Sequence, residues 1–166
     1  MAEPTARRSA FWARWFRIQY RLIRLADPVV RAWLGRPGLA DTVELVVRGR
    51  RTGRPRPILL GLLEVDGRWY VGHPNGPAQW TRNLEAAGTA EVRRPGRDPI
   101  VVQAVPLPTG PERSAAIHAT FRQHPLGGRD IYHLAHAHIE AVGAFYRLEP
   151  PGSTGSSGHP PVPAGR

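Results

Sequence analysis

Apolar residues first recur at helical spacing. Phe11, Trp12, Trp15, Phe16, Gln19, Leu22, Ile23 and Ala26 share such intervals, which predicts a helix from Ser9 or Ala10 to about Leu34. Arg14, Arg17, Arg21 and Arg24 stripe another face of it, and Pro28 kinks or divides it. Arg36-Pro37-Gly38 then ends the element. Beyond it the period shortens. Residues 43–48, 57–65 and 68–72 read as three strands. The middle one is almost continuously apolar, which predicts burial on both faces, and Asp66-Gly67 joins it to the third as a hairpin. Residues 77–87 read as a short helix, with Pro77 in its first turn and Gly88 past its end. Strands follow at 89–93 and 100–107, turned by Pro95-Gly96. A helix from Thr109 to about Gln123 opens with Thr109 and Glu112 at capping-box spacing. His124 to Gly128 is a loop, residues 131–140 a further helix, and residues 144–148 a closing strand.

Short strands with tight turns, and helices that do not alternate with them, predict a mainly β, α+β domain: a small antiparallel barrel with helices outside. A doubly wound sheet is disfavoured. The domain spans residues 10–149. Residues 1–9 and the Pro/Gly/Ser-rich residues 150–166 have little to bury and read as disordered. A length of 166 residues suits one domain.

Composition narrows the chemistry. Basic residues outnumber acidic ones 23 to 13, and all 23 are arginine. With no lysine, Schiff-base chemistry on a lysine is out. With no cysteine, thiolate catalysis, disulfides and cysteine-based metal sites are out, and a reducing cytosol is permitted. The chain reads as cytoplasmic. No apolar run approaches the roughly 20 residues of a membrane span, and arginines interrupt the N-terminal stretch where a signal peptide needs an unbroken apolar core. The cationic aromatic helix has two destinations: an anionic bilayer, which would place the protein at the inner membrane face, or the body of its own domain.

The densest chemistry lies in VELVVRGRRTGRPRPILLGLLEVDGRWYVGHPNGPAQWTRN, residues 43–83. Arg48, Arg50, Arg51, Arg54 and Arg56 crowd one loop, where Gly49 and Gly53 permit the turn. Backbone N–H groups there, the Thr52 hydroxyl and the arginine forks suit a phosphate. A second loop, residues 73–77, leads to a helix start carrying Trp80 and Asn83. Neither G-x-G-x-x-G after a strand nor G-x-x-x-x-G-K-[ST] occurs, so any nucleotide-like cofactor is held another way. The pair of loops suits a flat ring with an anionic tail.

The order of these pieces resembles the deazaflavin-dependent nitroreductase family: GRRTGRPR after a strand, an apolar strand, DG-R-WYV, a glycine-containing loop, W-x-x-N-L-E-A, and a terminal FYRLEP. The likeness spans about residues 12–149. It implies a split β-barrel, FMN-binding-like in fold, that uses coenzyme F420 to pass hydride to an organic acceptor such as a quinone, a nitroaromatic or another unsaturated compound. It further implies cofactor contacts at Arg50, Arg51 and Thr52, then Arg56, Pro57, Ile58, Leu59, Leu60 and Gly61. Gly72, His73, Pro74 and Asn75 would line the second loop, and Gln79, Trp80, Thr81, Arg82 and Asn83 the helix start. Arg51-Thr52 stands where the family often has lysine followed by threonine or serine. Asn75 replaces a basic residue common in a longer second loop.

On the chemistry, Leu59, Leu60 and Trp80 could form the apolar slot for the ring. Tyr132, His133 and His136 are the candidate proton donors. His133, His136 and His138 form H-x-x-H-x-H with Glu140 beyond; the spacing permits a metal, but without cysteine or H-E-x-x-H the helix is read as polar and metal-free. Three alternatives stay open: the same fold holding FMN, a non-catalytic carrier of the cofactor or of a hydrophobic ligand, and nucleic-acid binding. The arginine loop lacks interleaved aromatics, which counts against nucleic acid. The chain is expected to be a monomer or a homodimer.

Overall fold

The computed structural model describes residues 9–19, 41–76, 78–123, 130 and 133–150. Pro28 and the predicted helix beyond residue 19, both terminal segments, Pro77, the His124 loop and Tyr132 lie outside the described residues. Helix α1 covers residues 9–19. Then follow β1 (Thr42–Arg48), β2 (Pro55–Gly61), β3 (Leu63–Val65), β4 (Arg68–His73), α2 (Gln79–Ala87), β5 (Thr89–Arg93), β6 (Ile100–Pro106), α3 (Pro111–Gln123), α4 (His136–Val142) and β7 (Ala144–Glu149).

All strand pairs are antiparallel, in the order β2-β1-β5-β6-β7-β4-β3. The two ends of that order, β2 and β3, are separated in sequence by Leu62 alone. A one-residue link between first and last strands forces the sheet to curl back on itself. The result is a split β-barrel with flanking helices, an α+β fold.

The continuous strand expected over residues 57–65 breaks at this point. The Leu62 N–H donates to the Asp41 carbonyl at 2.7 Å, and Leu62 and Leu63 are both buried. Burial of β2 on both faces also gives way: β2 is an end strand whose first residues are exposed. Pro55 and Pro57 have no N–H to offer a further strand, which suits an edge. Periodicity reports how apolar a strand is, not where it sits in the order. Between β3 and β4, Asp66 (φ 50°) and Gly67 (φ 73°) adopt the left-handed pair of a tight hairpin turn.

Alternation divides the interior into two cores. Val43, Leu45, Val47, Val71, Leu84, Val92, Val102, Tyr146 and Leu148 fill the curl of the sheet. Phe16, Leu63, Tyr70, Ile117, Phe121, Ile139 and Phe145 form the second. Phe16 is fully buried, so α1 packs on the body of the domain through one face. Helix α2 begins at Gln79 and ends with Gly88 in the left-handed region (φ 68°). The capping-box pairing is absent at α3. The Glu112 carboxylate instead accepts from Arg147 Nη1 at 2.8 and 2.9 Å and from the Tyr70 hydroxyl at 3.0 Å. Thr109 accepts from Arg113, whose guanidinium also reaches the carbonyls of Ile139 and Gly143 at the end of α4.

Candidate cofactor-binding site

The arginine loop closes the β1–β2 hairpin. Gly49 N–H donates to the Arg54 carbonyl at 2.9 Å, and Gly53 N–H to the Gly49 carbonyl at 2.7 Å. Gly53 sits at φ 65°, where a side chain would be strained. The Thr52 hydroxyl turns inward and accepts from Arg54 N–H at 3.4 Å. Arg48, Arg51, Arg54 and Arg56 are exposed, and none forms an ion pair among the described residues.

Arg50 does something different. Its Nη1 donates to Asn83 Oδ1 at 2.9 Å and its Nη2 to Gln79 Oε1 at 3.0 Å. Its backbone N–H reaches the same Asn83 oxygen at 3.3 Å. These bonds tie the loop to the start of α2, 29 and 33 residues away. That start has no side-chain cap, because Ala78 occupies the cap position, and no acidic residue lies in the first turn. The N–H groups of the first turn therefore point their dipole at a surface already crowded with arginine. Arg82 adds an exposed cation on the same helix, while Thr81 is buried and donates to the Ala78 carbonyl at 2.9 Å.

Within the first turn of α2, Trp80 packs against the inner core. His73 meets it edge-on at 6.2 Å, and Tyr146 lies 6.2 Å away on another side. Burial holds the His73 imidazole down to about 4, so it is neutral at ordinary pH. Its Nδ1 accepts from Asn75 N–H at 3.2 Å, which leaves the ring proton on Nε2. Tyr146 is also held protonated, first by burial and then by its 2.7 Å hydrogen bond to Glu85.

The predicted residues thus separate into groups. Arg50, Arg51, Thr52 and Arg56 share one hairpin, and Gln79, Trp80, Thr81, Arg82 and Asn83 lie on the helix that Arg50 clasps. On β2, Ile58 and Leu60 face the inner core beside Trp80. Strand alternation puts Pro57, Leu59 and Gly61 on the opposite face, Leu59 opposite Glu44. A slot built from Leu59 and Leu60 together is therefore corrected: neighbouring residues of one strand cannot line the same slot. Gly72 is required by packing, since a Cβ there would run into the Phe145 ring.

Pro74 is buried, and Asn75 is a hub. Its Nδ2 donates to the Ala13 carbonyl of α1 at 3.0 Å, and its Oδ1 accepts from His138 Nε2 at 3.2 Å. The His138 Nδ1 accepts from the Ser9 hydroxyl at 2.9 Å, and its ring stacks near Phe16 at 6.1 Å. His138 and Tyr146 carry no sequence signal that sets them apart from neighbouring histidines and core aromatics. His133 and His136 gather elsewhere, around Phe121 with His118. Among the described residues, no hydrogen bond or ring contact joins either one to Trp80, His73 or the arginine loop. No group of three or more histidine, aspartate or glutamate residues is placed to hold a metal ion among the described residues.

No family model matches the chain, and no curated protein matches it. Solved structures do. The chain is similar to an F420-H2 dependent reductase, FDR-A, at 18% identity and a TM-score of 0.50, over 66% of this chain and 94% of that one. It is similar to a conserved hypothetical protein from Mycobacterium tuberculosis at 13% identity and a TM-score of 0.52, over 69% and 75% of the two chains. It is also similar to HutZ, a heme storage protein from Vibrio cholerae, at 14% and 0.51, over 74% and 88%. At these identities the likeness is one of fold, and the fold is the split barrel that an F420-dependent reductase shares.

Proposed function

We propose that the protein belongs with the deazaflavin-dependent nitroreductases and is an oxidoreductase that uses coenzyme F420 to reduce an organic acceptor. One observation carries this reading. Arg50 binds the arginine hairpin to the uncapped start of α2, beside Trp80, so a cationic surface and an aromatic wall meet at one place. The cofactor suits both parts: its phosphate and glutamate tail are anionic and its ring is flat. When bound, it supplies the hydride. The chain's own residues bind and orient. Arg51, Arg54 and Arg56 offer charge-assisted hydrogen bonds to the tail, and the first-turn N–H groups of α2 offer uncharged ones. Trp80 and Leu60 exclude water from the ring side. Neutral His73 presents a polar edge there without adding charge.

FMN also has a phosphate and a flat ring, and suits the same surface. Fluorescence or absorbance titration with each cofactor separates the two. Tight binding of F420 and weak binding of FMN is the expected outcome, followed by turnover with a quinone or a nitroaromatic. Saturable binding with no turnover over a broad acceptor panel would instead indicate a carrier.

A second feature bears on the acceptor. Phe11, Trp15 and Ile18 of α1 are 58%, 42% and 49% exposed, on the side away from buried Phe16. Exposed Arg14 and Arg17 flank them. An outward aromatic stripe edged with cations supports contact with an anionic membrane surface, and hence a membrane-borne quinone. No helix among the described residues is long and apolar enough to cross a membrane. Flotation with anionic vesicles should carry the protein, and Trp15→Ser should weaken it; no flotation of the unmodified protein would remove this contact.

A further inference from the structure

Three polar side chains from separate parts of the fold meet where α1 rests on the domain. The Ser9 hydroxyl of α1 lies 2.9 Å from His138 Nδ1 on α4, 129 residues away. The other ring nitrogen, Nε2, lies 3.2 Å from Asn75 Oδ1 in the loop after β4. The far end of this chain of bonds fixes its direction. The Ala13 carbonyl can only accept, so the Asn75 amide turns its Nδ2 there, at 3.0 Å. That leaves Oδ1 toward the imidazole, and an amide oxygen also only accepts. The ring proton of His138 therefore sits on Nε2, and Nδ1 presents a lone pair to the Ser9 hydroxyl. His138 is buried, which lowers its pKa and keeps the ring in the neutral state that can take a proton. Ser9 keeps part of its surface exposed.

A tether between two helices needs only one hydrogen bond, and either ring tautomer would serve it. A hydroxyl, a neutral imidazole and an acceptor that fixes the tautomer are the parts of an activated nucleophile. We propose that Ser9 is an acylatable nucleophile, with His138 as its base and Asn75 positioning His138, and that it takes acyl groups from activated esters of small apolar acids. The surroundings set that acyl preference: Trp12 lies three residues on along the same helix face, and exposed Phe11 lies beside it. In the first step Ser9 Oγ bonds to the ester carbonyl carbon and its proton passes to His138 Nδ1. The bond from that carbon to the leaving oxygen then breaks, and the leaving oxygen takes the proton. Water releases the acid by the same route and restores the hydroxyl. An amide positions the ring but adds no negative charge, so turnover should be slow and covalent capture the sensitive readout. The proposal does not rest on the reading of the arginine hairpin.

The test treats the full chain with diisopropyl fluorophosphate, which forms a stable Oγ–P bond with loss of fluoride, and maps the adduct by peptide mass. The expected result is one adduct at Ser9, none at Ser114 of α3, and none in chain unfolded with guanidinium. His138→Gln, folded by circular dichroism, should slow the labelling by about a hundredfold. Asn75→Asp keeps an acceptor beside Nε2 and should retain labelling that Asn75→Ala loses. With p-nitrophenyl butyrate, release of p-nitrophenolate should exceed that of Ser9→Ala. The chain has no cysteine, so Ser9→Cys gives it a single thiol. Iodoacetamide should alkylate that thiol about tenfold faster than in Ser9→Cys combined with His138→Gln. A plain tether between α1 and α4 predicts none of this. The proposal is overturned by absence of a Ser9 adduct, by nitrophenolate release no greater than that of Ser9→Ala, or by equal alkylation rates in the two thiol variants.

Discussion

Two stretches of the chain are each crowded with one kind of side chain. Residues 48–56 hold five arginines, and residues 133–138 hold three histidines. The arginines lie on a hairpin, and one of them reaches across to α2 for three acceptors on two residues. The histidines lie on and just before α4, where His133 and His136 meet Phe121 while His138 holds α1 in place through Ser9 and Asn75. A crowd of like residues thus became a candidate site in one case and a packing element in the other. What separates them is where their hydrogen-bond partners come from, and whether charge is left over for a ligand.

That contrast can be broken from either side. The largest effect should come from the histidine side. Phe16→Ala empties a fully buried position beside His138, and should cost about 3–5 kcal/mol of unfolding free energy in denaturant titration. Cofactor affinity of the protein that remains folded should hardly change. A large loss of affinity in folded Phe16→Ala would place α1 within the site.

The next effect is on pH dependence. His73 is neutral in the folded chain until about 4, whereas an unfolded histidine gains its proton near 6.5. The unfolded chain therefore binds the extra proton first as pH falls. Stability from this group is fully present above about 6.5 and is lost between there and about 4, on the order of 3 kcal/mol. The lowered His138, desolvated by burial, acts in the same direction. Denaturant midpoints measured from pH 7 to 4 should fall, and His73→Gln should flatten the fall. An equal slope in that variant would assign the acid sensitivity elsewhere.

On the arginine side, Arg50→Ala removes the clasp. Cofactor affinity should drop by about tenfold, with a smaller change in melting temperature because Arg50 is exposed. The smallest effect belongs to His133→Ala and His136→Ala. Cofactor affinity should stay unchanged, and stability should move by about 0.5 kcal/mol or less for exposed His133. A loss of cofactor binding in either variant would erase the distinction drawn between the two stretches.

Much of the frame was legible before any coordinates. Asp66-Gly67 marks its hairpin, Gly88 ends its helix, and the late strands fall close to their expected bounds, because each follows from local chemistry. The crowding at Arg48 to Arg56 stood out for the same reason. Long-range facts were not legible. Nothing local says that Leu62 turns the chain to the far end of the sheet, or that β2 is an edge. The face that Leu59 takes follows from its register against Glu44. Asn75 reads as a loop residue, and only the fold gives it Ala13 and His138 as partners.

The central claim is that the arginine hairpin and the start of α2 form one anion-binding surface for the cofactor. Fluorescence titration of oxidised coenzyme F420 against the unmodified protein, Arg51→Ala and Arg56→Ala tests it most directly. Saturable binding should weaken by about 1.5–3 kcal/mol in each variant, the worth of a charge-assisted hydrogen bond. Saturable binding of equal strength in all three proteins would contradict it.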